Sequence, residues 1–231
     1  MNIQGLQKLT LLDFPGRTAC TLFTGGCNLR CPFCHNVPLV LDPAGGDAIP
    51  ETEIFSFLSR RHGILDGVAI TGGEPLLQPD IASFIRRVRK EGFAVKLDTN
   101  GFFPDRLAEL LRAGLVDYAA MDVKNRPEKY AETCGLETVD LSRIEASMRL
   151  LTDSGIEYEF RTTVVKEFHT IDDIEAVAKW ISGAKRYFLQ AFRDSGDLIG
   201  GGCSEVSAED MREMARRARQ YVAMCETRGV G

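Results

Sequence analysis

Long apolar runs are missing from these 231 residues. None approaches the roughly 20 residues a helix needs to cross a bilayer, so no membrane span is expected. An excess of basic charge is missing too. The formal net charge is −5, and lysine and arginine are not pooled on one segment, which leaves no footprint for nucleic acid. Two local basic groups, Arg86, Arg87, Arg89 and Lys90, and Arg212, Arg216, Arg217 and Arg219, read as solvated helix faces. The first residues carry Asp13 and Pro15 and lack a basic start with a small-residue cleavage site. No signal peptide is read there, and a cytoplasmic location is expected. An even set of cysteines is also lacking: there are seven, which argues against a disulfide framework.

Short runs rich in β-branched and aromatic residues alternate with segments of helical period. Strands are predicted at 18–24, 67–71, 94–98, 116–122, 158–165 and 187–191, and helices at 52–62, 80–91, 105–113, 142–154 and 172–182. Gly63, Gly92, Gly114, Gly155 and Gly183 follow the helices, as left-handed stops should. A last amphipathic helix is predicted at about 207–225, after which 227–231 is expected to fray. Strands alternating with helices imply an α/β fold with a parallel sheet. Right-handed crossovers then either wind it doubly or curl it toward a barrel.

Three cysteines crowd into eight residues, Cys27-Asn-Leu-Arg-Cys31-Pro-Phe-Cys34, after a strand and the pair Gly25-Gly26. A [4Fe–4S] cube wants one outside ligand per iron, and thiolates are the usual donors. Three close thiols hold three irons and leave one open to chelate a small molecule. Other readings stay open at this point. Cys31-x-x-Cys34-His35 matches a haem-attachment pattern, though no export signal accompanies it. With His35 the thiols could form a Cys₃His zinc site, strained by the adjacency of Cys34 and His35. Cys31 and Cys34 could be a redox pair, or all three could be inert buried thiols.

Polar residues collect at the predicted carboxyl ends of strands, where parallel barrels bind ligands. The second strand runs into Gly72-Gly73-Glu74, whose glycines expose backbone and whose carboxylate can accept from an ammonium. This is not a G-x-G-x-x-G fingerprint. The third and fourth strands end in Asp98-Thr99-Asn100 and Asp122-Val123-Lys124. Those charges are costly to desolvate unless they are paired or coordinating. A structural salt bridge from Lys124 to either aspartate is one reading. Arg161, inside an apolar strand, is either paired or ligand-facing. His169 reads as a surface loop histidine, and Cys203 as an ordinary loop cysteine. Gln190 ends the sixth strand. Cys20, Cys134 and Cys225 are widely spread and receive no role.

The pattern C-x-x-x-C-x-x-C, with Phe33 before its third cysteine, resembles the radical S-adenosylmethionine (SAM) superfamily. The longer string from Asp13-Phe-Pro-Gly to Phe23-Thr-Gly-Gly-Cys-Asn-Leu-Arg-Cys-Pro-Phe-Cys-His-Asn36 resembles its glycyl-radical-enzyme activases. Among these it is most similar to the longer form of activases of anaerobic ribonucleoside-triphosphate reductase. The resemblance implies a partial (β/α)6 TIM-like barrel over residues 1–195, with a C-terminal loop and helix, 196–231, packed on it. It implies one [4Fe–4S] cluster on Cys27, Cys31 and Cys34, since no second run of cysteines lies between Asn36 and Thr71. It implies a SAM site formed by Phe33, Gly72, Gly73, Glu74, Asp98, Asn100, Asp122, Lys124 and Arg161, with Gln190 near the adenosine. It also implies a monovalent cation on Asp98, Thr99 and Asp122. The partners implied are a large glycyl radical enzyme, first the anaerobic reductase and otherwise pyruvate formate-lyase, and a flavodoxin or ferredoxin-type electron donor. A radical SAM enzyme acting on a small molecule is the competing expectation.

Overall fold

A computed structural model of the chain describes residues 1–194 and 196–230. Eight strands form one sheet in sequence order. They are β1 (Ile3–Thr10), β2 (Ala19–Thr24), β3 (Gly67–Gly72), β4 (Ala94–Thr99), β5 (Tyr118–Asp122), β6 (Glu157–Val164), β7 (Tyr187–Ala191) and β8 (Cys225–Arg228). β1 pairs antiparallel with β2, and every later pairing is parallel. No hydrogen bonds join β1 to β8 among the described residues, so the sheet curls as a partial barrel with two free edges.

Helices α1 (Val37–Leu41) and α2 (Glu51–Ser59) lie between β2 and β3; α3 (Ile81–Lys90) and α4 (Pro104–Arg112) follow β3 and β4. Next come α5 (Tyr130–Thr133) and α6 (Leu141–Asp153) after β5, α7 (Ile171–Trp180) after β6, and α8 (Ala208–Ala218) after β7. Their apolar stripes face the sheet. In α3, Ile81, Phe84, Ile85 and Val88 are buried at the spacing of one helical face. α7 starts with a reciprocal cap in which Thr170 accepts from the Asp173 backbone and Asp173 from the Thr170 backbone, satisfying two donors a helix start leaves open. Among the described residues no helix is long and apolar enough to cross a membrane.

All six predicted strands are present. Two further strands were not anticipated. β1 reads Ile-Gln-Gly-Leu-Gln-Lys-Leu-Thr and is half exposed, so it lacks the alternation that marks a strand against a core. β8 is four residues, Cys-Glu-Thr-Arg. The predicted last helix therefore stops at Ala218 rather than near residue 225. Thr227 and Arg228 belong to a strand rather than a frayed tail, while Gly231 lies outside the described residues. The helical expectation ran on because Tyr221 and Val222 continue the apolar spacing past the helix end.

Candidate cofactor site at the carboxyl ends of the strands

Parallel strands end on a common rim, and the polar strand ends identified above meet there. β2 runs into Gly25, Gly26 and Cys27, while β3 runs into Gly72 and Gly73. Thr24 O accepts from Gly73 N at 2.8 Å, and Gly26 O accepts from Glu74 N at 2.8 Å. The contact is backbone on backbone: a Cβ on Gly73 would sit 2.0 Å from Gly26 O, and one on Gly72 would sit 2.2 Å from Thr24 N. Only glycine fits so close an approach, and Gly72 also holds φ at +124°. One pocket results, lined by Cys27, Cys31 and Cys34 with Phe33, Gly72, Gly73, Asp98, Thr99, Asn100, Asp122, Lys124 and Arg161.

Donors surround the cysteine sulfurs. Leu29 N points at Cys27 Sγ at 3.4 Å, and Asn100 Nδ2 approaches the same sulfur at 3.9 Å while donating to Asn28 Oδ1 at 2.8 Å. The buried Asn28 Nδ2 has no hydrogen-bond partner among the described residues. Burial pushes the Cys27 thiol up to about 11, a state that a positively charged iron would reverse. Cys134, unassigned from sequence, is buried behind Cys31 and donates to its sulfur; that bond, outweighing burial, draws the Cys31 thiol down. The same contact and burial push Cys134 up. Among the described residues no three His, Cys, Asp or Glu side chains converge as on a single metal ion. A zinc site would need that convergence; a cube, which would take one thiolate on each of three separate irons, does not. Three pocket-facing thiols ringed by donors fit a [4Fe–4S] cluster with one free corner.

Glu74 has a place of its own. It is fully buried and absent from the pocket wall. Its Oε1 accepts from Leu76 N at 3.0 Å and Thr99 Oγ1 at 2.9 Å, and its Oε2 accepts from Asn100 N at 2.7 Å. Burial lifts its carboxyl to about 7 against these bonds. The side chain thus ties the end of β3 to the end of β4, and only the two glycines of the motif present atoms to the pocket. One of these atoms is engaged already, since Gly72 O accepts from Asn36 Nδ2 at 2.9 Å.

The aspartates, the lysine and the arginine meet as an alternating chain of charges. Lys96 donates to Asp98 Oδ1, and Arg161 bridges Asp98 Oδ2 at 3.1 Å and Asp122 Oδ1 at 2.9 Å. Lys124 then donates to Asp122 Oδ2 at 3.0 Å. Both structural readings, the Asp122–Lys124 pair and a paired Arg161, hold in this geometry. Burial would raise the two carboxyls, but Arg161, with Lys96 on Asp98 and Lys124 on Asp122, outweighs it; both lie below their ordinary range, Asp122 at about 2. Burial would lower Lys124 and Arg161, yet the carboxylates hold both above their usual values. Lys96, 2% exposed, was missed from sequence. The signal was available, because position 96 shares a strand face with position 98.

These four carboxylate oxygens each carry a cationic side chain. Three cations face two anions, so an added monovalent cation would leave two uncompensated positive charges on a pocket floor where Arg161, Asp98, Lys124 and Asp122 are only 12–27% exposed, a costly arrangement. The residues present do not fit that additional ion.

His169 is not a surface histidine: it is 3% exposed. Its Nδ1 accepts from Val165 N at 3.0 Å and its Nε2 faces Lys124 O at 2.8 Å, so it braces the strand end that carries Lys124. Burial lowers its basicity. Gln190 pairs in register with Thr163 and Arg228 and does not line the pocket. Cys203 is half-buried, and burial raises its thiol.

A curled parallel sheet with three thiols and a charged floor at its carboxyl rim defines a class, and the chain belongs to it: residues 21–181 match the radical SAM superfamily. The relatives place the chain more narrowly. It is 33% identical over 226 residues to a Methanocaldococcus jannaschii protein provisionally assigned as a glycyl-radical enzyme activating enzyme, covering 95% of this chain and 92% of that one. It is 27% identical to the pyruvate formate-lyase-activating enzyme of Clostridium pasteurianum, covering 80% and 84%. The chain is an enzyme of the radical SAM, glycyl-radical-enzyme activating group. A crystal structure of Streptococcus suis SuiB bound to S-adenosylmethionine shares the fold at a TM-score of 0.70 and 16% identity, covering 90% of this chain. This chain spans about half, 52%, of that structure. Membership implies a [4Fe–4S] cluster and SAM as cofactors.

Proposed function

We propose that this chain holds a [4Fe–4S] cluster on Cys27, Cys31 and Cys34, binds SAM across the adjoining pocket, and generates a glycyl radical on a large partner enzyme. The observation that carries the reading is the single pocket in which three cysteine sulfurs face a floor of paired charges. When bound, the reduced cluster would supply the electron that cleaves the SAM sulfonium bond, at the low end of the about −700 to +450 mV range of such centres. The chain's own residues bind and orient. Gly72 and Gly73 bring backbone to the amino acid end of SAM. Arg161 and Lys124 supply positive charge for its carboxylate. Asn100 and Phe33 close the flanks, with the Phe33 ring tilted at 52° against Phe168, centroids 5.8 Å apart. Burying SAM among these groups excludes water from the reacting atoms.

For the partner, the cysteine string favours anaerobic ribonucleoside-triphosphate reductase. The Clostridium relative favours pyruvate formate-lyase, which makes that a second reading. A flavodoxin or ferredoxin-type protein would deliver the electron. One experiment tests both levels. The protein is reconstituted anaerobically with iron and sulfide, reduced with dithionite and mixed with SAM. 5′-Deoxyadenosine is expected, and Cys34→Ala should abolish both the cluster's absorbance and the product. Adding each candidate partner should give a glycyl doublet by electron spin resonance with one and not the other. Iron-free protein after every attempt at reconstitution would end the proposal. A doublet with neither partner would remove both partner assignments.

A further inference from the structure

We propose that Lys96 is a built-in counter-ion for the Asp98–Asp122 pair, so that this enzyme needs no soluble monovalent cation in its pocket. The inference rests on reading the pocket as the SAM site. The strands around it are parallel and in register: Asp98 stands opposite Ala120, and Asp122 stands opposite Arg161. Side chains two apart on one strand share a face, so Lys96 lies directly beneath Asp98. The residue is 2% exposed and absent from the pocket wall, and among the described residues its ammonium pairs with one carboxylate oxygen, Asp98 Oδ1. Lys96 therefore touches neither solvent nor the space SAM would occupy. It acts through the aspartate, as a positioning residue.

Charge counting gives the reason for a lysine here. Two carboxylates at this depth need compensation. Arg161 is shared between them, and Lys124 serves the outer oxygen of Asp122. Without Lys96, Asp98 Oδ1 would face the interior with no cation, and a small hydrated ion from solution would be drawn there. With Lys96 present the five side chains sum to one positive charge. Glu159 below them adds nothing, since Arg228 neutralises it through two bonds of 2.8 and 2.9 Å. Glu74 beside them turns its two oxygens to Leu76 N, Thr99 Oγ1 and Asn100 N, outside this chain of charges. One surplus positive charge under a pocket suits one incoming carboxylate. A tethered ammonium also pays no cost of capture from solution, so the aspartates are held ready at any ionic composition.

The test exchanges the medium. Cluster-loaded protein is moved into buffers whose only cation is tetramethylammonium, too large to enter between the aspartates, at constant ionic strength. SAM affinity is measured by equilibrium dialysis, and cation binding by ²³Na line broadening with potassium as competitor. The unaltered protein should bind SAM within about twofold of its affinity in potassium and show no saturable sodium site. Lys96→Met should bind SAM about tenfold or more weakly in tetramethylammonium. It should regain affinity with added sodium or potassium in a saturable way, and it should broaden the sodium line. The proposal is overturned if the unaltered protein itself needs sodium or potassium for SAM binding or shows a competable sodium site. It also falls if Lys96→Met matches it in both media. Should Lys96→Met fail to fold, the two measurements on the unaltered protein decide alone. Failure to bind SAM in either medium would instead count against the SAM reading, while the sodium signal still decides the cation.

Discussion

His169 sits in the loop after β6 as an acceptor and a donor at once. Nδ1 takes the Val165 N–H, which leaves the proton on Nε2, pointing at the Lys124 carbonyl. The neutral ring satisfies both contacts, and the imidazolium would break the first. Burial places its folded-state pKa below the ordinary 6.5. The stability from this residue is therefore complete above about pH 6.5 and is lost as pH falls through the lower folded-state value. The urea midpoint of the protein should hold from pH 8 to about pH 6.5 and drop between there and about pH 5. His169→Leu should cost about 1–3 kcal/mol at pH 8 by orphaning two backbone groups, and its deficit should shrink at pH 5. A deficit of the same size at both pH values would contradict this account. Nothing in Phe-His-Thr announced such burial, because the ring is enclosed only once Lys124, 45 residues earlier, lies against its Nε2. Glu74 teaches a similar lesson. Its motif was legible as a strand end made of exposed backbone. That its carboxylate would cap the Pro75–Leu77 turn and take Thr99 and Asn100 could be known only once β3 lay beside β4.

At the scale of elements, the six inner strands were readable because each is a short run rich in apolar residues followed by a segment of helical period, and five of those segments close on a glycine. The two outer strands were not, since an edge strand buries one side or neither. β8 shows what an unassuming strand can do. Arg228 forks onto both oxygens of Glu159, which also accepts from Tyr118 at 2.7 Å. The guanidinium lies 3.4 Å from the Phe188 ring centroid. Glu159 is 1% exposed, so losing its cation strands a buried carboxylate. A fully buried pair would cost about 3–5 kcal/mol when broken, and the 35% exposure of Arg228 brings the expectation for Arg228→Ala to about 2–3 kcal/mol. Arg228→Leu combined with Glu159→Leu should recover much of it, since an apolar pair leaves no buried charge. Urea unfolding of the single and the double variant reads this directly. A single variant within about 0.5 kcal/mol of the parent would mean β8 is held by its backbone alone.

For the molecule as a whole, stability and chemistry occupy different ends. The apolar core runs continuously under the sheet and helices, from Ile3 through Ile54, Phe84, Leu107, Ile144 and Ile174 to Met211 and Cys225. The cysteine loop adds only Leu29, Cys31 and Phe33 to its buried members. Small metal-held domains unfold without their metal because the site is their core; here the core is built from other residues. A cluster that binds only the folded state will add stability by mass action, but folding should not wait for it. Cys27→Ser, Cys31→Ser and Cys34→Ser combined should therefore lose iron and SAM cleavage, yet keep the parent's far-ultraviolet circular dichroism and a cooperative urea transition. The loss should appear locally, as faster amide exchange in residues 25–36 and in the segments bonded to them. The outside amides in those segments are Glu74 N, which donates to Gly26 O at 2.8 Å, and Gly200 N, which donates to Pro32 O at 2.8 Å. Exchange that quickened equally across β4, β5 and β6 would show instead that the cluster organises the whole sheet.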